Sequence, residues 1–202
     1  MEYFIQAILW FLWSFLHSFF IAPSVANYLK RKLNNSYKYF RLFYNIFALV
    51  SLAAVWSYAD SCQDEIIYSP SGYWQIIQII ILGLSVLLFV VGAKNYDIRQ
   101  FLGFSQLTQE KLSTGLGQSG SFNQTGILRY TRHPWYLGTI LILWSGYTDL
   151  SISRLIMNSV FTLYVIVGTL LEEKKLAAEF GDVYREYQKK VPMFISLKSF
   201  TK

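Results

Sequence analysis

The chain has 202 residues, 53% of them hydrophobic and only 15% charged, where a soluble domain carries about 25% charged residues. This composition excludes disorder and argues against an ordinary cytosolic globule. A net charge of +6 beside long apolar runs points to an anionic membrane surface rather than to nucleic acid. The single cysteine, Cys62, excludes an intrachain disulfide and a cysteine-based zinc site, and no metal is expected.

Five apolar segments follow in order: Tyr3–Ala22, Leu42–Ala59, Trp74–Ala93, Trp135–Tyr147 and Leu155–Leu171. A spanning helix needs about 17–25 apolar residues, so the fourth segment is short on its own. The tight link Asp149–Arg154 predicts that the fourth and fifth segments form a hairpin. Ser24-Val25-Ala26 looks like a cleavage site, but Met1-Glu2 is not a basic leader, so the first segment is read as a helix.

Loop charges set the orientation. Lys30, Arg31, Lys32, Lys38 and Arg41 lie in the first loop, and Asp60, Asp64 and Glu65 in the second. The third carries Lys94, Arg99, Lys111, Arg129 and Arg132. The positive-inside rule then places the N-terminus outside and the C-terminus in the cytoplasm. The expected architecture is an all-α integral membrane protein, a single membrane domain over 1–202, in a bacterial inner membrane. It has about five spans, near 3–24, 41–59, 74–94, 134–148 and 152–173. A cytoplasmic loop covers 95–133 and a helical, amphipathic tail covers 174–202.

Gly115–Gly120 matches G-x-G-x-x-G, but without a preceding strand and a following helix it reads as a loop. In the tail, Gly181 should stop the last span near Phe180. Asp182 should then cap a helix that ends at Pro192, with Tyr184, Tyr187 and Val191 on one face and its place on the membrane or the loop.

Chemistry concentrates before the fourth segment and after the fifth. Pro134 suits the first turn of a helix, so His133 falls at the N-cap, beside backbone N–H groups that favour an anion. Arg129 and Arg132 add positive charge. Across the hairpin, Glu172 and Glu173 suit a cation or ribose hydroxyls. On the first helix, His17 forms a polar stripe with Ser14 and Ser18, and an ionisable group inside a membrane is a candidate for function.

The ordered set Arg132-His133-Pro134-x-Tyr136-x-Gly138, Glu172-Glu173-x-x-Leu176, Phe180-Gly181-x-x-Tyr184-x-x-Tyr187 and Val191-Pro192 resembles the isoprenylcysteine carboxyl methyltransferase superfamily. Leu16-His17-Ser18 and Arg41-Leu42-Phe43-Tyr44-Asn45 look most like its bacterial branch that methylates small thiols. The resemblance implies a membrane methyltransferase that uses S-adenosylmethionine and takes a thiol or another small or lipidic nucleophile from the membrane side. It implies a cofactor pocket of Gly126, Arg132, His133, Pro134, Tyr136, Leu137, Gly138, Glu172 and Glu173. Trp135 and Tyr136 would favour the sulfonium, and His17, Arg132 and Glu173 would carry the chemistry. Prenylcysteine enzymes have an arginine where Gly168 stands here, which turns the expected acceptor away from a carboxylate. A membrane reductase of the sterol type using NADPH and a non-catalytic lipid-binding protein are the alternatives.

Overall fold

The computed structural model describes residues 1–94, 98–107 and 124–195. The glycine-rich motif at 115–120 lies outside them. The described chain is helical apart from one small β-pair. Within it, two compact units are assembled from 1–69, 98–107 and 149–161, and from 70–94, 124–148 and 162–195.

The first unit opens with α1 (Glu2–Ile21), and α2 (Pro23–Leu33) carries three basic residues in its last turn. After a 3-10 turn at Asn34–Tyr39, α3 runs over Phe40–Ser61. α1 and α3 join through polar contacts. The Trp13 indole donates to Ser51 Oγ at 3.0 Å, and the Tyr44 hydroxyl lies 2.8 Å from His17 Nδ1. Strand β1 (Ile66–Tyr68) pairs antiparallel with β2 (Leu150–Ser151), Ile66 opposite Ser151. No strand was expected here. The pair forms where the ends of two apolar segments bring short, β-branched-rich links together, and Asp64 Oδ1 accepts from the Ser153 N–H at 3.1 Å beside it. Short helices α5 (Ile98–Leu102) and α6 (Phe104–Leu107) replace the first part of the expected loop, and Asn45 ties them to α3 through the Leu102 carbonyl.

The second unit contains α4 (Tyr73–Ala93) and α7 (Pro134–Ser145), which pack closely. Small residues permit the approach. Ser85 Oγ donates to the Gly138 carbonyl at 2.8 Å, and a Cβ on Gly92 would lie 2.6 Å from Trp135 Cδ1. The long helix α8 spans Ile152–Phe180, and α9 spans Asp182–Lys190.

Among the described residues, four helical stretches are long and apolar enough to cross a membrane: Glu2–Ile21, Pro23–Ser61, Tyr73–Ala93 and Ile152–Phe180. The fourth of the five expected spans falls outside this set. At 12 residues, α7 is about 18 Å long, short of the roughly 30 Å hydrocarbon layer. The outward apolar side chains of α4, such as Ile76, Ile79, Ile80 and Val90, are exposed, as lipid-facing residues are.

The tail follows expectation at one end and departs from it at the other. Helix α8 stops at Phe180, and Gly181 takes φ +57°, the left-handed conformation that glycine adopts without a steric cost. Asp182 is not the cap. Gly181 holds that position, and Asp182 instead pairs with Arg185 at 3.1 Å. The apolar face of α9 is buried against Leu176, Ala177 and Phe180 of α8 rather than being left for a membrane.

Candidate active site

Both ends of α7 touch α8. Trp144 Nε1 donates to Thr162 Oγ1 at 2.9 Å, and His133 Nε2 meets Glu173 Oε1 at 3.0 Å. Trp144 and His133 are eleven residues apart, as are Thr162 and Glu173. An equal count on two antiparallel helices means an equal rise of about 16 Å, so the two contacts are in register with each other. This register brings the polar residues flanking the two helices together.

Glu173 is the centre of the cluster. Arg132 forks onto it, with Nε to Oε1 at 2.6 Å and Nη2 to Oε2 at 2.8 Å. The Tyr184 hydroxyl donates to Oε1 at 3.1 Å and Gln188 Nε2 to Oε2 at 2.8 Å. With His133, five contacts converge on one carboxylate, more than its roughly four lone-pair positions. Four of the five N–H groups of the Arg132 side chain are engaged. Its Nη1 donates to the carbonyls of Gln188 and Val191 at 3.0 and 2.5 Å. Side-chain exposures of 9% for Arg132 and 10% for Glu173 make this a buried ion pair.

Backbone bonds close the cluster from below. The Arg132 N–H donates to the Pro192 carbonyl at 3.0 Å and the His133 N–H to the Met193 carbonyl at 3.3 Å. His133 is the N-cap and Pro134 the first helical residue, as the sequence indicates. The N–H groups of 132 and 133 are thus taken by the segment after α9. Because a carboxylate only accepts, the His133 proton facing Glu173 sits on Nε2. Nδ1 then faces Glu172 Oε2 at 3.8 Å, beyond hydrogen-bond length. Glu172 is the less buried of the two carboxylates, with 27% of its side chain exposed. Tyr136 stacks on the His133 ring at 5.4 Å between centroids and 9° between planes.

The remaining sequence candidates are spread over the two units. Gly126, at φ +61°, opens the 3-10 turn Gly126–Arg129, whose Leu128 carbonyl accepts from the Tyr187 hydroxyl. Pro134, Leu137 and Gly138 are buried on α7. A Cβ on Gly138 would meet Phe89 of α4 at 3.2 Å, so this glycine serves helix packing. Trp135 also turns to α4, donating to the Phe89 carbonyl at 3.0 Å. Arg129 is exposed. His17 belongs to the first unit. Trp13 stacks on it at 4.9 Å, and the Tyr44 hydroxyl donates to its carbonyl at 2.9 Å. Tyr184 and Tyr187, placed by the sequence on one face of the tail helix, each also donate a hydrogen bond, Tyr184 to Glu173 and Tyr187 to the Leu128 carbonyl. Gln188 was missed. Its signal was its position four residues after Tyr184, on the same helical face. Burial and the neighbouring Glu173 push the Tyr184 phenol well above its ordinary value, and burial pushes Tyr187 up to about 12. Among the described residues no group of His, Cys, Asp and Glu is arranged to hold a metal.

A helical membrane protein with a buried arginine–glutamate–histidine cluster at the base of a short helix is the class that fold and site define, as the resemblance to the isoprenylcysteine carboxyl methyltransferase superfamily implies. The chain belongs to the family described as "Protein of unknown function (DUF1295)", whose model matches residues 4–191. It is 37% identical over 76 residues to a methanethiol S-methyltransferase of Pseudomonas deceptionensis, covering 38% of this chain and 29% of that protein. It is 27% identical over 134 residues to one from a Pseudomonas species, covering 66% of this chain and 50% of the relative. A protein-S-isoprenylcysteine O-methyltransferase of Schizosaccharomyces pombe is 31% identical over 115 residues, covering 48% of each. The chain thus spans between under a third and half of the length of these relatives. No solved structure matches it.

Proposed function

We propose that the protein is an integral membrane methyltransferase that uses S-adenosylmethionine and methylates a small thiol or a lipidic nucleophile reaching it from the membrane. The carrying observation is the contrast between the two adjacent carboxylates. Glu173 is saturated by its own protein, whereas Glu172 stands partly open beside His133 and Tyr136. The relatives described above, all methyltransferases by name, support the same class.

The residues fit such a cofactor. Glu172 suits an ammonium group or ribose hydroxyls, both of which donate hydrogen bonds. The Tyr136 ring suits a sulfonium or an adenine face, an attraction worth roughly 0.5–2 kcal/mol. When bound, S-adenosylmethionine supplies a methyl group activated by its sulfonium. The chain's own contribution is positional. Arg132 and Glu173 fix the base of α7 against α8, His133 is oriented by its Nε2 contact, and His133 in turn holds Tyr136 by stacking. Alignment of this kind accounts for much of the barrier lowering available to a displacement reaction. Glu173 is read as a positioning residue, since its oxygens have no capacity left for a substrate proton. Deprotonation of a thiol is assigned to His17 as a proposal, on its polar stripe in α1. The absence of an arginine at Gly168 favours a thiol over a carboxylate acceptor.

The NADPH-dependent reading finds less support, because the Arg132 guanidinium, the natural partner for a diphosphate, is committed within the protein. We also propose an inner-membrane location with the N-terminus outside. Thermal unfolding in detergent tests the reading, with S-adenosylmethionine and NADPH titrated separately. A native-state ligand at a hundredfold excess over its Kd raises stability by about 2.7 kcal/mol. Stabilisation by S-adenosylmethionine that is lost in Glu172→Gln is the expected result. Stabilisation by NADPH alone would falsify the proposal.

A further inference from the structure

The first unit contains a second polar site that the methyltransferase reading does not use. A cavity of about 120 Å³ opens between the C-terminal turn of α3, the N-terminal turn of α8 and the middle of α1. Its lining includes Trp10, Trp56, Asp60, Asp64, Ser153 and Arg154. A water occupies about 30 Å³ of liquid, so the space exceeds a single solvent molecule and suits a small polar group.

Two observations show that this cavity is built for a ligand with hydrogen-bonding capacity. Trp10, which lines it, is 1% exposed, and its indole N–H has no partner among the described residues. A buried polar group without a partner is costly, so native proteins fill such places with water or ligand. The cavity also carries both signs of charge, yet Asp60, Asp64 and Arg154 form no ion pair among the described residues. Opposite charges face one space without closing on each other.

The two sets of groups match a zwitterion. Arg154, the Trp10 N–H and the Ser153 hydroxyl are donors suited to phosphate oxygens. Asp60 and Asp64 are acceptors suited to a primary ammonium, beside the half-exposed ring of Trp56, which packs edge-on to Trp10 at 6.3 Å. The site also lies at the C-terminal end of α3 and the N-terminal end of α8, and the ends of membrane-length helices are where headgroups are met. We infer that this cavity binds the phosphoethanolamine headgroup of a membrane phospholipid. A phosphoglycerol headgroup lacks the cation that the aspartates require, and a choline headgroup cannot donate hydrogen bonds to them.

The test is native mass spectrometry of the whole chain, purified after exchange into vesicles of equal phosphatidylethanolamine, phosphatidylglycerol and phosphatidylcholine. The wild type is expected to retain the ethanolamine lipid at least tenfold over the others. Arg154→Gln should lower that retention roughly tenfold, the loss expected for one charge-assisted bond. Arg154→Lys should keep most of it, and Asp60→Asn, at an exposed position, should shift preference toward phosphatidylglycerol. Equal retention of the three lipids by the wild type overturns the inference. So does an unchanged preference in both Arg154→Gln and Asp60→Asn when circular dichroism shows native helicity. Glycerophosphoethanolamine added as a soluble competitor separates the two sources of the group. Displacement of the lipid supports the headgroup site, while binding of the soluble compound without retention of the lipid overturns the lipid assignment.

Discussion

Arg132 and Glu173, 41 residues apart in the chain, meet in a two-bond fork at 2.6 and 2.8 Å with both side chains about nine-tenths buried. Removing one partner of such a pair strands the other, at a cost of about 3–5 kcal/mol. Glu173→Ala should therefore lower the thermal unfolding temperature sharply. Glu173→Gln keeps the volume and should cost less. Arg132→Lys should resemble the alanine variant more than the glutamine one, because an ammonium cannot reproduce the fork or reach both carbonyls. Unfolding midpoints in one detergent check the order of the three, and a lysine variant as stable as the wild type would contradict the geometry.

The contact of α4 with α7 depends on the absence of a side chain at residue 92. A methyl group there would lie 2.6 Å from Trp135 Cδ1 and 2.7 Å from its Nε1. Overpacking of this kind costs about 1–3 kcal/mol. Gly92→Ala should destabilise by that amount, and Gly92→Ala with Trp135→Leu should recover part of the loss. A double-mutant cycle measures the coupling, and a coupling of zero would sink the explanation.

Gly168 offers the opposite case. A Cβ added there has nothing within 4 Å. Alanine in a helix interior is favoured over glycine by up to about 1 kcal/mol, so Gly168→Ala should be neutral or stabilising. Arginine at the same position should fold, and it tests acceptor choice. Turnover of a carboxylate substrate should rise relative to a thiol if the missing guanidinium sets the preference.

Alkaline pH should loosen the α9 contact. Burial raises the Tyr187 phenol from 10 to about 12 in the folded state. A group raised in the folded state lends stability that is fully present below the unfolded value and is lost as pH climbs through the folded one. Stability should therefore fall between about pH 10 and 12. The fall should be shallower in Tyr187→Phe, which is also less stable at neutral pH because its bond to Leu128 is gone. Thermal unfolding across that range decides it.

How much of this was legible in the sequence follows from the range of each interaction. The long spans were readable because one apolar run is a local property. The N-cap at His133 with Pro134 after it, and the stop at Gly181, were readable because backbone rules act within a few residues. The β1–β2 pair was not, since two- and three-residue strands carry no periodic signal. The site divided along the same line. Arg132, His133, Glu172 and Glu173 were picked out as neighbours through the hairpin. The saturation of Glu173 was hidden, because it depends on Tyr184 and Gln188 returning from a later helix. The commitment of Arg132 to carbonyls of Gln188 and Val191 leaves no side-chain trace at all in a sequence.

The segment after α9 meets the strand of residues before α7 through carbonyls, with 192 and 193 accepting from 132 and 133. Main-chain acceptors are the same for every amino acid. The identity of residue 193 is thus free to drift over evolution while the connection is kept, but its presence is not. A chain cut after Val191 would lose two acceptors at once and free the base of α7, with every residue of the glutamate cluster still encoded.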